Sequence, residues 1–402
     1  MRILQVTPYF YPAWTFGGPV KAVYELSKEL VKKGHDVTVY STDVCDRTSR
    51  SGVKGNGPVQ VDGIRTYYFR NISKALAYDH KLFLSPSLVS VIRKEISGFD
   101  IIHLHEYYTF QNIVTHCYAK KYHIPYVLSV HGSLCPTARK QKAPYKQVFT
   151  YFLGRYILRD VSIAIVLTKE EKKQLLLMGL EPDKVRVIPN GVNLLEFADP
   201  PKKGTFREKY FIGSDERIIL FLGRITREKG LDLLVSAFSK LVRQLRDLRL
   251  VIAGPSDLDY LASLKKLIVT KKIEHRVLFT GLLVGKERLS VYVDADVFVL
   301  PSHFEGLSFT VLEACASGVP VVITHHCNIP EVADYKAGFV VGRNGEEIQN
   351  AISRILDDEE LKRKLGSNGR KMVREKFTLS KVVEQLEELY REVAYSASGH
   401  AS

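Results

Sequence analysis

Short runs of apolar, largely β-branched residues at 3–6, 37–40, 101–104 and 126–130 alternate with stretches at 20–33 and 87–96 whose apolar positions recur at helical spacing. Such strand, helix, strand alternation predicts a parallel sheet with helices on both faces. Residues 46–58 are rich in Gly, Ser, Arg and Asn without apolar periodicity, the composition of a loop that is either a flap or an insertion. A polar segment at 198–205, carrying Pro200, Pro201, Lys202, Lys203 and Gly204, reads as a linker. Beyond it the alternation restarts, and 218–222, 248–253, 277–280, 297–300 and 319–323 read as buried strands. From residue 359 the pattern is helical only, with Val382, Val383, Leu386, Leu389 and Val393 on one face. That terminal helix needs a partner surface, most economically the first domain, with its own domain as the alternative. The expected class is therefore α/β, with a doubly wound parallel-sheet domain at 1–197, a linker at 198–205, a second such domain at 206–377, and a terminal helix and tail at 378–402.

Two domains of this size suit a chain of 402 residues, and 45% hydrophobic with 25% charged residues suits a globular protein. The formal net charge of +14 changes the picture more, because it implies an anionic partner: nucleic acid, anionic lipid or a phosphorylated substrate. The five cysteines, Cys45, Cys117, Cys135, Cys315 and Cys327, are widely spaced and form no CxxC pair, so they read as reduced core thiols rather than zinc ligands. The chain opens directly on a strand-like run followed by Thr7 and Pro8, and no eighteen apolar residues follow one another. A cytoplasmic, non-spanning protein is expected.

Parallel sheets bind ligands beyond the carboxyl ends of their strands, and four candidates stand there. Gly17-Gly18-Pro19 follows the first strand and opens a helix, where bare backbone N–H groups could approach a phosphate or simply form a turn. Gly223-Arg224, with Lys229-Gly230 at the head of the next helix, offers two cations for a diphosphate, or else a solvated basic turn. In the run from Glu305 to Glu313, a helix beginning near Leu307 would leave Glu305 ahead of it and Glu313 two turns along. These carboxylates could accept sugar and ribose hydroxyls, or could be a dipole-complementing acid and a surface acid. Ser129-Val130-His131-Gly132 ends another strand, and His131 is either a ligand contact or a satisfied structural histidine, as are His103 and His105. Asp294-Ala295-Asp296 looks like a metal-binding D-x-D but lies where a helix passes into a strand, so capping and turn chemistry is expected.

In this order, with Ile188-Pro189-Asn190-Gly191-Val192-Asn193 between the halves, these motifs resemble glycosyltransferase family 4 over nearly the whole chain. The resemblance implies the GT-B fold, two Rossmann-like domains facing a central cleft, and transfer of a sugar from a nucleotide diphosphate donor with retention at the anomeric carbon. It implies that Arg224 and Lys229 hold the donor diphosphate, with Gly17 and Gly18 letting the first domain close onto its distal phosphate. By the same carry-over Glu313 binds the ribose, Glu305 with Gly306, Leu307, Ser308 and Phe309 holds the sugar, and His131 contacts it. His131, Arg224, Lys229 and Glu305 are thus the expected catalytic group, acting by electrostatics and positioning, with no metal or other cofactor required. Members of that family often carry glycine where this chain has Ser308. The loop 281–284, with Leu282 and Leu283, is the expected contact for the donor's base through backbone groups.

The acceptor is expected to be a sugar or lipid-linked molecule of polysaccharide or glycolipid assembly. Between Arg139 and Arg159, basic Lys140, Lys142, Lys146 and Arg155 interleave with aromatic and aliphatic residues, a pattern that either lies on an anionic membrane or packs its aromatics inward. A nucleotide-sugar epimerase or a phosphorylase would share the fold. A nucleic-acid-binding protein would explain the charge, but no helix-turn-helix, RRM or zinc pattern supports it, and no nucleic-acid partner is expected.

Overall fold

The computed structural model describes residues 1–53, 57–135 and 143–398. The chain forms two compact units, one of residues 1–191 and 379–402 and one of residues 192–378. The segment 198–205 belongs to the second unit: Asp294 accepts hydrogen bonds from the N–H groups of Gly204, Phe206 and Arg207 and so caps the short helix Thr205–Lys209. Asp296 accepts from Ile218 N–H and pairs with Lys362 and Arg207. Both acids of the D-x-D thus serve capping and strand-end chemistry.

The first unit has an eight-stranded sheet in the order β3-β4-β2-β1-β5-β6-β7-β8. Its strands are β1 (Arg2–Val6), β2 (Asp36–Thr42), β3 (Val59–Val61), β4 (Ile64–Phe69), β5 (Ile101–His105), β6 (Tyr126–Ser129), β7 (Ile163–Val166) and β8 (Val185–Val187). All pairs are parallel except β3 against β4. Arg50 of the region 46–58 forms an antiparallel bridge with Val44 just before it, and residues 54–56 lie outside the described residues. The hairpin β3–β4 that follows is absent from the sequence reading, because Arg65, Thr66 and Tyr67 break the plain apolar run used to find strands.

The last helix, Leu379–Ser398, is part of this unit. Its apolar face, Leu379, Val382, Val383, Leu386, Leu389, Tyr390 and Val393, joins Ile3, Val23, Leu30, Val37 and Ile101 in one buried cluster. Each side chain so covered stabilises the fold by roughly 1.5–3 kcal/mol before the entropy of ordering is subtracted. Glu387 on the same helix pairs with Lys33 at 2.6 Å and His35 at 2.7 Å.

The second unit has a six-stranded, wholly parallel sheet in the order β11-β10-β9-β12-β13-β14. Its strands are β9 (Arg217–Leu222), β10 (Leu248–Ala253), β11 (Val277–Gly281), β12 (Val297–Leu300), β13 (Val321–Thr324) and β14 (Gly338–Val341). Two of these strands differ from the sequence expectation. The strand placed at 319–323 starts at Val321, since Pro320 has no N–H to give to a ladder. The strand at 277–280 is only partly buried, because it lies at the sheet edge. Strand β14, short and glycine-led, escaped notice. It needs Gly338, where a Cβ would fall 1.9 Å from the Val321 carbonyl oxygen.

Among the parallel strands of each sheet the order reverses once, between β1 and β5 in the first unit and between β9 and β12 in the second. At such a reversal the connecting helices leave on opposite faces, which opens a crevice at the strands' carboxyl ends. Gly17 and Gly18 follow β1, Arg224 follows β9 and Glu305 follows β12. His131 follows β6, one strand away.

Candidate active site

In the second unit the chain leaves β9 through Gly223 and Arg224, makes the 3-10 turn Arg227–Lys229 and enters the helix Leu231–Gln244 through Gly230. Gly230 has φ 67°, and a Cβ there would fall 2.2 Å from the carbonyl oxygen of Pro301. That close approach seats the loop after β12 against the turn. His303 N–H donates to Glu228 O at 2.7 Å, and Lys229 Nζ donates to Glu305 Oε1 at 2.5 Å. Ser302 Oγ donates to the same oxygen at 2.5 Å, Asn328 Nδ2 donates to Glu305 O, and Glu305 N–H donates to His326 O. Both members of the pair are largely covered, with side-chain exposures of 16% for Lys229 and 11% for Glu305. The solvated-turn alternative therefore fails for Lys229, whereas Arg224 is exposed. Among the described residues Arg224 has no side-chain ion pair and Glu305 Oε2 no hydrogen bond.

The helix expected from Leu307 begins at Phe309, with Ser308 at its N-cap position. Ser308 does not cap it; its hydroxyl pairs with Thr310 Oγ1 at 3.0 Å. This late start places Glu313 little more than one turn in, on the inner face, and overturns the surface-acid alternative: Glu313 is buried. Its two oxygens accept from Arg288 Nη1 at 2.9 Å and from Tyr292 Oη at 3.1 Å. Arg288 also donates through Nη2 to Glu196 at 2.6 Å. Burial alone would ease the proton off the guanidinium, but Glu313 and then Glu196 push its pKa above the ordinary value, so it stays charged. Burial, reinforced by Glu313, likewise keeps the Tyr292 phenol protonated and donating. After β11, Leu282 is exposed and Leu283 buried, which leaves the backbone of that loop as its polar surface.

In the first unit Gly17, at φ 87°, is the N-cap of the helix Gly18–Lys32, and no side chain caps that end. The loop after β6 carries His131 at φ 47° and Gly132 at φ 78°. A left-handed histidine is strained, and such strain persists where surrounding structure enforces it. His131 Nε2 lies 2.9 Å from His105 Nδ1, and His105 Nε2 lies 2.7 Å from Gln5 Oε1. His103 bridges Ser129 Oγ at 2.7 Å and Tyr390 Oη at 2.6 Å, and Gln5 Nε2 reaches the same Tyr390 oxygen at 3.4 Å. Desolvation pushes the His131 pKa down to about 4 and those of His103 and His105 well below the ordinary value, so all three rings are neutral at pH 7. The histidines bond to one another, to Gln5, to Ser129 and to Tyr390. Among the described residues no group of three His, Cys, Asp or Glu side chains is disposed to hold a metal.

The structure thus brings Lys229 to Glu305 and His131 to His105, and sets Glu313 apart as the centre of a buried cluster. Sequence reasoning missed Arg288, Tyr292, Glu196 and Ser302 around the acids, and Gln5 and Tyr390 around the histidines. Only Tyr390 left a signal, as a polar-tipped ring on the otherwise aliphatic face of the last helix.

Two family descriptions match the chain: "Glycosyltransferase Family 4" over residues 16–195 and "Glycosyl transferases group 1" over residues 202–372. The chain belongs to glycosyltransferase family 4. Among its relatives, an uncharacterized glycosyltransferase, MJ1607, of Methanocaldococcus jannaschii is 28% identical over 97% of this chain and 98% of its own length. The alpha-maltose-1-phosphate synthase of Mycolicibacterium smegmatis is also 28% identical, over 98% of this chain and its whole length. Among solved structures, Alr3699/HepE of Anabaena in complex with UDP-glucose superposes with a TM-score of 0.78 at 18% identity, over 98% of this chain and the whole of that one. This family 4 glycosyltransferase therefore has the GT-B fold, with one Rossmann-like sheet in each unit.

Around residues 139–159 part of the basic aromatic stretch packs inward and part is left exposed. Arg139, Lys140 and Lys142 lie outside the described residues. The helix Ala143–Phe149, the π-helical turn Thr150–Gly154 and the helix Arg155–Asp160 bury Phe149, Ile157 and Leu158. On the other face Tyr151 is 63% and Phe152 60% exposed, beside Val148 and Leu153, and Arg155 stacks over the Tyr151 and Tyr156 rings. Among the described residues no helix is long and apolar enough to cross a membrane.

Proposed function

We propose that this glycosyltransferase moves a sugar, with retention at the anomeric carbon, from a nucleoside diphosphate onto a sugar or lipid-linked acceptor. The observation that carries this is the Lys229–Glu305 pair beside exposed Arg224, all at the strand reversal of the second unit. Lys229 and Arg224, at the head of the helix Leu231–Gln244, stabilise charge on a departing diphosphate. Two cations placed there do the work that a metal does elsewhere, so no metal is required. Glu305 holds Lys229 through Oε1 and keeps Oε2 for a sugar hydroxyl, while the backbone from Gly306 to Phe309, leading into the helix Phe309–Ser317, holds the same ligand. Glu313, oriented by Arg288 and Tyr292, accepts from the ribose diol. His131 contacts the donor sugar, Gly17 and Gly18 approach the distal phosphate, and the backbone at Leu282 and Leu283 meets the base.

The complex of Alr3699/HepE with UDP-glucose and the sugar phosphate named for the mycobacterial relative support a nucleotide sugar and a sugar acceptor. Calorimetry with UDP-glucose, UDP-N-acetylglucosamine, GDP-mannose and ADP-glucose tests the donor. Binding of one of them, weakened in Lys229→Ala and Glu313→Ala, is the expected result; no binding of any to folded protein overturns the proposal.

The exposed Tyr151 and Phe152 beside Arg155 favour a second feature, peripheral attachment to an anionic membrane on its cytoplasmic face, near a lipid-linked acceptor. Flotation with anionic and neutral liposomes tests it. Equal binding to both removes the electrostatic version.

A further inference from the structure

Three histidines, an amide and two hydroxyls lie in one buried network on the first unit's sheet, and hydrogen-bond logic fixes who donates to whom. Gln5 and His103 are register partners on β1 and β5, and His105 and Ser129 on β5 and β6. Residues two apart on a strand share a face, so His103 and His105 stand side by side, ring centroids 4.0 Å apart. A neutral imidazole has one donor and one acceptor nitrogen, and a primary amide has a donor end and an acceptor end. Gln5 turns its Nε2 toward Tyr390 Oη and its Oε1 toward His105 Nε2. The proton of His105 is then on Nε2, its Nδ1 can only accept, and the proton shared with His131 sits on His131 Nε2. If Tyr390 Oη, accepting from Gln5, gives its own proton to His103 Nδ1, then His103 Nε2–H donates to Ser129 Oγ. Turning the Gln5 amide over would reverse every one of these bonds and put the His131 proton on Nδ1.

We infer that Tyr390 of the C-terminal helix, Gln5 and His105 form a positioning relay that presents His131 as the Nε2–H tautomer, with its Nδ1 lone pair left to accept a hydrogen bond from a hydroxyl of the bound sugar. Among the described residues no group hydrogen-bonds His131 Nδ1. The left-handed backbone at His131 and Gly132 holds the ring against His105, and burial keeps all three rings neutral, as a relay of this kind needs. The specificity that follows is for a donor-sugar position bearing a hydroxyl, which can donate to Nδ1, over an ether or a fluorine there, which cannot. This inference rests on the reading of His131 as a donor-sugar contact.

The experiment is long-range 1H–15N spectroscopy of the full chain labelled with 15N-histidine, with His131→Ala identifying the His131 signals. A protonated Nε2 and an unprotonated Nδ1 are expected at pH 7; a protonated Nδ1 overturns the relay. In Tyr390→Phe the amide loses its hydroxyl partner, so the His131 tautomers should become mixed, and an unchanged spectrum removes Tyr390 from the relay. Gln5→Glu, which can only accept, should keep the Nε2–H form, and it carries the test should Tyr390→Phe not fold. UDP-glucose, or whichever of the four nucleotide sugars binds, is then titrated into each variant. A loss of roughly threefold to tenfold in kcat/KM for Tyr390→Phe, with no further loss when the same change is made in His131→Ala, is the expected consequence of one misdirected hydrogen bond. Tautomers that change without any change in donor affinity or kcat/KM leave the relay standing and sink the assignment of His131 to the donor sugar.

Discussion

The two strand reversals of this protein are furnished in opposite ways. In the second unit the side chains are ionic: Lys229 on Glu305, and Arg288 shared between Glu313 and Glu196. In the first they are neutral: three histidines, Gln5, Ser129 and Tyr390, joined by hydrogen bonds. Charge is the means of holding a diphosphate, whose own charge is large and whose position is fixed by few contacts. Neutral polar groups suit recognition of hydroxyls, where direction rather than field decides. On the proposed function, the same architecture serves an electrostatic role in one unit and a directional one in the other.

Removing Arg288 should break this contrast most severely. Arg288→Met leaves Glu313 and Glu196 without their shared cation, and breaking a buried pair costs about 3–5 kcal/mol. Calorimetric unfolding should show a large drop, and a variant as stable as the parent would mean that the cluster is solvated. Lys229→Ala comes next: loss of a preorganised cation should lower kcat by about 10²–10³, with the fold unchanged by circular dichroism. A fall of less than threefold would remove Lys229 from leaving-group stabilisation.

Acidification probes the neutral side. The His131 pKa is lowered from 6.5 to about 4 in the folded chain, so its contribution is complete above pH 6.5 and is lost as pH falls from 6.5 toward 4. The loss is on the order of 3 kcal/mol, and His103 and His105 extend it to lower pH. The single tryptophan, Trp14, lies in the first unit, so its fluorescence follows that unit alone. Denaturant midpoints read this way should fall between pH 6.5 and 4.5, and less steeply in His131→Gln. Equal slopes in parent and variant would show that His131 titrates normally. The smallest effect is expected outside both sites: Tyr151→Ser with Phe152→Ser should leave donor affinity within roughly twofold, as mutations of exposed side chains generally do, while weakening flotation with anionic liposomes.

Much of this was legible in the sequence. Alternating apolar runs gave most of the parallel strands, and glycines and charges just beyond them marked Gly17, Arg224, Lys229, Glu305 and His131. The strands that went unread, β3, β4, β7, β8 and β14, are short or broken by polar residues, so neither length nor period separated them from loops. The helix start was misplaced by two residues, and with it Glu313, because no side chain caps that end and the Ser308 hydroxyl pairs with Thr310 instead.

By itself the sequence determined the class of fold, the family, and the chemical types at each strand end, because these depend on local period and on residues close in the chain. Tertiary structure alone decided which groups meet. Arg288 reaches Glu196 across 92 positions, and Gln5 reaches Tyr390 across 385. No local pattern encodes such a pairing, since it follows from strand order and from the return of the last helix to the first sheet. That return is driven by an apolar face that cannot remain in water, and it carries the Tyr390 hydroxyl to the Gln5 amide.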